Sequence, residues 1–391
     1  MNSAAMASQK VQSLQYGQLR VVMAGGGTGG HLFPAIAIAE AFLEKNSGSD
    51  ILFVSTGNAL EKKVLAHQGF KLACIAAEGL KGRGLWRQLK ALFRLPTGVW
   101  QSWKILQKFA PDVVIGVGGY ASGPLILAAW LRGIPVALHE QNMLPGITNR
   151  MVFPLANRVY ISFADTSFGG NTPKIRYLGN PVRKQFLNIV PEAEPAIPSL
   201  ISAEKVPPFT IAVVGGSQGA HKINQTVAEA LELLNDRDRF HFIHQTGNQD
   251  LEMVQEAYRR NGISGRVQPF FENMAECHHA ADMLICRSGA TTIAEITTSG
   301  KPAILIPFPY AADNHQVLNA RELVQAQAAE MILEADLTPQ LLAERIQRFA
   351  SQPETLRWMA ENARCLGKPF AAKNIVEDCY TLIHPKNHSE S

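Results

Sequence analysis

The feature that most constrains the fold is a short apolar segment that runs into a glycine-rich loop and then into a helix. Residues 21–24 are apolar and include two valines, which predicts a buried strand. Five of the next six residues are glycine, so the backbone can turn sharply and approach a ligand closely. Apolar side chains then recur at helical spacing from Leu32 to Leu43. The loop therefore opens a helix, whose unpaired N–H groups suit a phosphate.

The same strand–glycine–helix device occurs a second time, at residues 209–219. Around the two copies, strand-like runs alternate with helical ones, which predicts parallel sheets covered by helices on both faces. These further runs are residues 51–55, 72–75, 113–117, 136–139, 159–161, 240–244, 283–286 and 303–306. We therefore expect an α/β protein of two doubly wound, Rossmann-like domains that face a cleft, with ligands at the carboxyl ends of the strands.

Composition along the chain predicts the domain boundaries. Residues 1–19 are polar without an apolar core, which is typical of a disordered tail rather than a signal peptide. Five prolines between positions 191 and 208 indicate a linker or irregular edge over residues 186–208. We thus expect one domain over residues 20–185 and another over 209–365. Residues 366–391 are expected to form a helix that packs back on the first domain, followed by a tail.

Charge and cysteine usage exclude several classes of protein. The 37 Lys and Arg residues exceed the 33 Asp and Glu residues by too little to indicate nucleic acid. Five scattered cysteines without a CxxC pair favour reduced thiols over disulfides or zinc. No run of about 18 apolar residues is present, so no membrane-spanning helix is expected.

The sequence also argues against a resident cofactor or metal. Gly25, Gly27 and Gly30 match a dinucleotide fingerprint, but no acidic residue ends the next strand, and no Lys-Ser/Thr follows the loop. The motif Asp236-Arg237-Asp238 precedes a predicted strand and so lies at the wrong edge for a ligand. His278 and His279 are adjacent, so on a helix they point about 100° apart and are expected to be solvated. A loop needed only for tight packing stays open as an alternative.

A carboxylate lies shortly after another small-residue turn in the second half of the chain. The run from Cys286 to Glu295 leaves a predicted strand and enters a helix. The Glu295 carboxylate could accept hydrogen bonds from a ribose diol. The alternative is an ordinary solvated helix residue.

Several motifs in a fixed order together resemble a known family. They are Gly26-Gly27-Thr28-Gly29-Gly30-His31, Gly118-Gly119-Tyr120, His139-Glu140-Gln141-Asn142, Gly179-Asn180-Pro181-Val182-Arg183, Gly215-Gly216-Ser217-Gln218-Gly219-Ala220, and Arg287-Ser288-Gly289-Ala290 through Glu295. Over residues 20–365 the chain resembles the MurG family, the peptidoglycan N-acetylglucosaminyltransferases that make lipid II.

This resemblance implies a GT-B fold and an inverting enzyme without a cofactor or metal. The donor would be UDP-GlcNAc, and the acceptor would be the muramoyl 4-hydroxyl of lipid I, undecaprenyl-diphospho-muramoylpentapeptide. The enzyme would be peripheral, on an anionic membrane surface at the cytoplasmic face of the plasma (inner) membrane. The alternatives are a GT-B transferase with another acceptor and a non-catalytic nucleotide-sugar-binding module.

The resemblance also implies residue roles. Donor-binding positions would be Thr28, Gly29, Gly30, Asn142, Arg183, Ser217, Phe271 through its backbone, Ala290, Thr291, Thr292, Ile293, Ala294, Glu295 and Gln316. Acceptor-binding positions would be Gly26, Gly27, Tyr120 and Glu140. The chain departs from the family pattern at Phe271, where isoleucine is usual, and at His315, where glutamine is expected.

Inversion in one displacement requires a base opposite the leaving UDP, so we expect the base in the acceptor-binding domain. His31 directly follows the glycine loop there. A histidine, with an ordinary pKa of about 6.5, is mostly neutral at neutral pH and can take a proton. His139 competes for this role, since it too ends a predicted strand. The alternative for His31 is a hydrogen bond to phosphate or a helix cap.

Residues 80–96 combine five cations with apolar and aromatic side chains. On a helix, the apolar residues form one stripe, and such a mixture suits an anionic membrane surface. The predicted membrane-contacting residues are Leu85, Trp86, Leu89 and Phe93. The alternative is an amphipathic helix that packs on its own core.

Overall fold

The computed structural model describes residues 17–77, 85–170, 172–187, 207–216 and 218–384, with only the backbone of residues 85–94. The chain divides into two compact units. Unit 1 comprises Met1–Arg183 and Lys368–Ser391, and unit 2 comprises Lys184–Gly367.

Unit 1 contains a sheet of parallel strands in the order β3-β2-β1-β4-β5-β6-β7. The strands are β1 (Arg20–Gly25), β2 (Asp50–Ser55), β3 (Lys71–Cys74), β4 (Val113–Gly118), β5 (Val136–Glu140), β6 (Arg158–Ile161) and β7 (Ile175–Tyr177). Its helices are α1 (Gly29–Lys45), α2 (Ala59–His67), α3 (Leu85–Phe109), α4 (Ser122–Leu131) and α5 (Ile147–Val152), and α14 (Ala371–Ile383) returns from the far end of the chain.

The central strand β1 explains why both faces of this sheet are covered. Successive strand residues point to opposite faces. Val21 and Met23 pack in a cluster with residues of α1 and α14, whereas Val22 and Ala24 pack in a second cluster with residues of α3 and α4. All four side chains are fully buried. A strand without a polar face requires helices on both sides.

Unit 2 repeats this plan with the parallel strand order β10-β9-β8-β11-β12-β13. Its strands are β8 (Phe209–Val214), β9 (Phe240–Gln245), β10 (Ser264–Gln268), β11 (Met283–Cys286), β12 (Ala303–Leu305) and β13 (Ala329–Met331). Its helices are α6 (Lys184–Leu187), α7 (His221–Ala230), α8 (Leu251–Asn261), α9 (Met274–Ala280), α10 (Ala290–Ser299), α11 (His315–Gln325), α12 (Pro339–Ser351) and α13 (Pro353–Leu366).

The predicted α/β architecture of two doubly wound sheets is confirmed. Three strands escaped the sequence patterns, namely β7, β10 and β13. All three pair with one neighbour in their sheets, and they are short or polar, so they lack the apolar run that identifies a central strand. Among the described residues, no helix has the length and apolar character that crossing a membrane requires.

The Asp236-Arg237-Asp238 motif of unit 2 lies at the amino end of a strand, away from the carboxyl ends where ligands are expected. The turn Arg237–Arg239, which carries most of the Asp-Arg-Asp motif, directly precedes β9.

The expectation that His278 is solvated is wrong, since its side chain is buried. Its ring packs edge-on against Phe186 at 5.0 Å, and its Nδ1 lies 3.2 Å from Ser299 Oγ. His278 therefore holds α9 against α6 and α10.

The C-terminal helix α14 packs on α1 and completes the core of unit 1. Asp378 Oδ2 accepts hydrogen bonds from Arg158 Nε at 3.2 Å and from Tyr160 Oη at 3.0 Å, both on β6. Burial, together with neighbouring Cys379 and Asp378, raises the pKa of the Tyr160 phenol, so it stays a donor. One carboxylate thus fastens α14 to the sheet.

We expect Asp378→Ala to destabilise unit 1 by about 1.5–3 kcal/mol, because it removes an ionised acceptor from two donors. Urea unfolding followed by tryptophan fluorescence would measure this, since four of the five tryptophans lie in unit 1. The matched control is Glu377→Ala. Glu377 pairs with Lys45 at 3.2 Å but is 62% exposed, so its loss should cost less than about 1 kcal/mol. Equal losses in both variants would contradict this account of α14.

Candidate functional site

The first glycine loop makes its turn through backbone conformations that favour glycine. Gly25, Gly26 and Gly27 have φ values of 126°, 144° and 97°. A side chain on Gly25 would clash with the carbonyl oxygen of Gly118 in the neighbouring loop. Thr28 is the N-cap of α1, and its carbonyl oxygen accepts from the N–H groups of His31 and Leu32. The loop therefore passes close to the end of β4 before α1 begins.

The buried carboxylate of Glu61, on α2, accepts a hydrogen bond from this loop. Its Oε1 accepts from Gly27 N at 2.5 Å, and its Oε2 accepts from Ser55 Oγ at 2.8 Å and Asn58 N at 2.9 Å. The sequence patterns did not single out Glu61, although the spacing of Asn58 and Glu61 fits a capping box, which the structure contains.

The contacts of this loop involve two residues predicted to bind the acceptor. Gly27 donates its N–H to Glu61, and Gly26 donates its N–H to Gly118 O at 3.3 Å. Both N–H groups are therefore used within the protein. The N-terminus of α1 follows this loop, and a helix N-terminus suits an anion.

His31 lies in the first turn of α1 and is only partly buried. Its ring rests against Gly118, where an added Cβ atom would come within 3.1–3.7 Å of the imidazole. Its Nδ1 lies 2.9 Å from Gln141 Oε1. The resemblance implied no role for Gln141, which is 1% exposed and follows β5 directly. The structure thus brings His31 into contact with the motif that ends β5.

His139 and Glu140 both lie inside unit 1. The side chain of His139, the second candidate for the base, is fully buried. Glu140, which is predicted to bind the acceptor, accepts hydrogen bonds within the protein at both of its carboxylate oxygens. Oε1 accepts from Asn142 N at 3.0 Å, and Oε2 accepts from Gly146 N at 3.0 Å and from Asn149 Nδ2 at 2.8 Å. Glu140 therefore fixes the shape of the loop after β5.

The remaining predicted residues of unit 1 also follow the carboxyl ends of its strands. Tyr120 follows β4 and is 52% exposed. Asn142 lies in the loop after β5, and its carbonyl oxygen accepts from Thr166 Oγ1 at 3.3 Å. Arg183 follows β7, with its guanidinium 5.0 Å from the centre of the Phe33 ring. These positions share one edge of the sheet with His31.

In unit 2, a buried glutamine organises the second glycine loop. Gln245, at the end of β9, is 2% exposed. Its Nε2 donates to Gly216 O at 3.0 Å, and its Oε1 accepts from Phe271 N at 3.0 Å. Gln245 thereby connects the glycine loop to the segment around Phe271, which is predicted to bind the donor through its backbone. The Phe271 side chain is buried, so only backbone groups near it could contact the donor. Ser217 lies outside the described residues.

The predicted nucleotide segment forms the start of α10, with Gly289 as its N-cap. Ala290, Thr291, Thr292, Ile293 and Ala294 occupy its first turns, and Glu295 follows with 5% exposure. The alternative, that Glu295 is an ordinary solvated helix residue, is therefore wrong. Burial, and to a smaller extent the neighbouring Glu295, raises the pKa of the Cys286 thiol at the end of β11 to about 12.

Gln316 and Ser288 join α11 to the loop before α10. Ser288 is fully buried, and its Oγ donates to Gln316 O at 2.8 Å. The side-chain Oε1 of Gln316 accepts from Phe308 N at 3.0 Å. Its Nε2 group is then the part of the side chain that can donate to a sugar hydroxyl.

The predicted membrane residues Leu85, Trp86, Leu89 and Phe93 lie in the first turns of α3. Their side chains are outside the described residues. Further along the same helix, Trp100 is 57% exposed, and Lys104 Nζ lies 3.6 Å from the centre of its ring.

Comparison with known proteins agrees with this two-unit arrangement. Residues 21–161 match the glycosyltransferase family 28 N-terminal domain, and residues 210–378 match the glycosyltransferase family 28 C-terminal domain. The chain is 48% identical over 366 residues to the "UDP-N-acetylglucosamine--N-acetylmuramyl-(pentapeptide) pyrophosphoryl-undecaprenol N-acetylglucosamine transferase" of Syntrophus aciditrophicus. That match covers 93% of this chain and 99% of the relative.

Two further proteins extend the comparison. The protein of the same name from Myxococcus xanthus is 43% identical over 366 residues, which covers 93% of both chains. The crystal structure of Acinetobacter baumannii MurG is 30% identical, with a TM-score of 0.74 over 92% of this chain and 99% of that one. The chain therefore belongs to the MurG family of glycosyltransferases, within glycosyltransferase family 28.

Proposed function

We infer that the protein transfers N-acetylglucosamine from UDP-GlcNAc to lipid I, which yields lipid II for peptidoglycan synthesis. The observation that carries this conclusion is the 48% identity, over 93% of the chain, to a transferase whose name states this donor sugar and acceptor. This role places the enzyme in cell-wall synthesis, on which cell shape and division depend.

We propose that the reaction is a single inverting displacement. The muramoyl 4-hydroxyl oxygen forms a bond to the anomeric carbon of GlcNAc, and the bond from that carbon to the β-phosphate oxygen breaks. The bonding electrons leave with UDP, and the hydroxyl proton passes to Nε2 of His31. His31 suits this role because it is partly exposed at the carboxyl edge of the unit 1 sheet, whereas His139 is fully buried.

Unit 2 would bind the donor. The loops after β8 and β11 lie next to each other, because these strands pair directly. The start of α10 supplies N–H groups and a positive dipole end for the diphosphate. Glu295, one to two turns into this helix, would accept from the ribose hydroxyls, and Gln316 Nε2 would donate to the sugar. Stabilising the leaving UDP by such fixed dipoles requires no metal.

Because the acceptor carries a lipid, we propose that the protein is a peripheral membrane protein. Unit 1 would contact an anionic membrane surface on the cytoplasmic side. The exposed side chains of Trp100, Trp130 and Leu131 on the packed helices α3 and α4 support this proposal. Aromatic residues beside cations, such as Trp100 beside Lys104, suit the headgroup region.

His31→Ala should lower kcat by about 10²–10⁴, the usual effect of losing a general base, while the Kd for UDP stays unchanged. Turnover of a soluble lipid I analogue with labelled UDP-GlcNAc, and calorimetry with UDP, would measure both. His67→Ala is the matched control, because His67 is an exposed histidine of the same unit. A kcat within a few-fold of the wild type would remove His31 from the mechanism.

Glu295→Ala should weaken UDP binding by about 10- to 150-fold, since a hydrogen bond to a charged acceptor contributes about 1.5–3 kcal/mol. The variant should also bind UDP and 2′,3′-dideoxy-UDP equally, whereas the wild type should prefer UDP. Thr297→Val is the control on the same helix, because the hydrogen bonds of Thr297 Oγ1 within the described part of the chain go to helix carbonyl groups, Ile293 O at 3.0 Å and Ala294 O at 3.1 Å. Retained discrimination between the two nucleotides in Glu295→Ala would exclude the ribose role.

The double variant Trp86→Ser, Phe93→Ser should bind anionic vesicles at least about tenfold more weakly, because each inserted aromatic side chain contributes about 1.5–3 kcal/mol. Its turnover of a soluble acceptor should be unchanged. Trp358→Ser is the control, since Trp358 is a 50% exposed tryptophan of unit 2. Unaltered vesicle co-sedimentation of the double variant would leave α3 as an ordinary packed helix.

A further inference from the structure

A directional chain of hydrogen bonds runs from the backbone of Gly179 to the ring of His31. His139 Nε2 lies 3.3 Å from Gly179 O, and His139 Nδ1 lies 3.0 Å from Gln141 Nε2. Gln141 Oε1 then lies 2.9 Å from His31 Nδ1. His139 and Gln141 are 0% and 1% exposed, so no solvent intervenes in this chain until it reaches His31.

The orientation of the Gln141 amide is fixed by a backbone group that can only accept. Gln141 Nε2 lies 3.0 Å from the carbonyl oxygen of Val117, at the end of β4. A flipped amide would place two carbonyl oxygens against each other in a buried site. The NH₂ group therefore donates one proton to Val117 O and has its second proton for His139 Nδ1. The carbonyl side of the amide must then face His31.

His139 is suited to accept this hydrogen bond because it stays neutral. Burial lowers the pKa of His139 to about 4, an effect opposed by its hydrogen bond to the Gly179 backbone and increased by the nearby His31. A neutral imidazole carries one proton. Since Nδ1 accepts from Gln141, that proton lies on Nε2, where it points to Gly179 O. Both ends of the chain thus agree on its direction.

We propose that Gln141 is a positioning residue that holds neutral His31 in the tautomer with Nδ1 protonated. Gln141 Oε1 can only accept, so Nδ1 must donate. The lone pair of the neutral ring is then on Nε2, the ring nitrogen that does not bond to Gln141. Gly118 contributes to the same end, because a Cβ atom there would lie only 3.1–3.7 Å from the His31 ring and crowd it.

This inference rests on the proposed role of His31 as the base, and it specifies which nitrogen takes the proton. A base in the wrong tautomer would present an N–H group to the acceptor hydroxyl and could not remove its proton. The series of hydrogen bonds therefore does not relay a proton. Its function is to keep the ring hydrogen of His31 on Nδ1, so that Nε2 is free to take the proton.

The first test needs no substitution. Histidine labelled with ¹⁵N in the full-length protein, measured about two pH units above the ordinary histidine pKa, distinguishes protonated from unprotonated ring nitrogens. The His31 signals are assigned by their loss in His31→Ala. We expect Nδ1 of His31 to be protonated and Nε2 to be unprotonated. A proton on Nε2 of His31 in the wild type would overturn the proposal.

The second test removes the amide but keeps the length of the side chain. Gln141→Met should give mixed tautomers of His31 and a kcat lowered by about 10- to 100-fold, a part of the full general-base effect, with an unchanged Kd for UDP. Ser162→Ala is the control, because Ser162 Oγ donates at 2.8 Å to the carbonyl oxygen of Glu140, the residue before Gln141, and among the described residues no hydrogen bond joins it to His31. It should retain the tautomer and kcat of the wild type.

The outcomes separate this inference from the proposed function. If His31→Ala loses activity while Gln141→Met keeps both the wild-type tautomer and kcat, the positioning role of Gln141 is wrong and the base remains His31. If His31→Ala keeps its kcat, His31 is not the base, whatever its tautomer. If Gln141→Met does not fold, the wild-type spectrum alone decides the tautomer.

Discussion

The close approach of two glycine loops is the constraint on which the unit 1 site depends. A side chain on Gly25 would clash with the backbone of Gly118, and one on Gly119 would clash with the backbone of Gly26. Because neither is present, the loops after β1 and β4 meet backbone to backbone. Helix α1 then begins directly beside the ends of β4 and β5, so a residue in its first turn can contact Gln141. The glycines are therefore required for the packing between the loops, whether or not a ligand binds there.

Both units bring loops together through glycines and a buried glutamine. In unit 2, a side chain on Gly219 or Gly247 would likewise clash with the opposite loop, here around Thr246 and Gln218. A buried glutamine at the end of a strand, Gln245, joins loops that are distant in the sequence. Its amide satisfies one donor and one acceptor of the backbone at once, which suits a buried site where an unpaired polar group is costly.

Sequence patterns predicted the centres of both sheets because central parallel strands contain continuous apolar runs, as in residues 21–24 and 211–214. They failed at short or polar strands such as β10, whose residues are largely exposed. Within the candidate site, sequence patterns could single out His31 and Glu295, because each follows a recognisable turn. Glu61 and Gln141 contact residues 34 and 110 positions away. Pairs so distant become neighbours only through the strand order, which local periodicity does not contain.

The return of α14 to unit 1 has a consequence for how the chain is made. Residues of α14, such as Ile375 and Tyr380, belong to the core that β1 and α1 begin. A ribosome delivers all of unit 2 before it delivers this helix. The sheet of unit 1, whose strands are synthesised before unit 2, therefore keeps an apolar face incompletely covered until α14 has been made, whereas unit 2 can close its core earlier. The unit that is begun first is thus completed last.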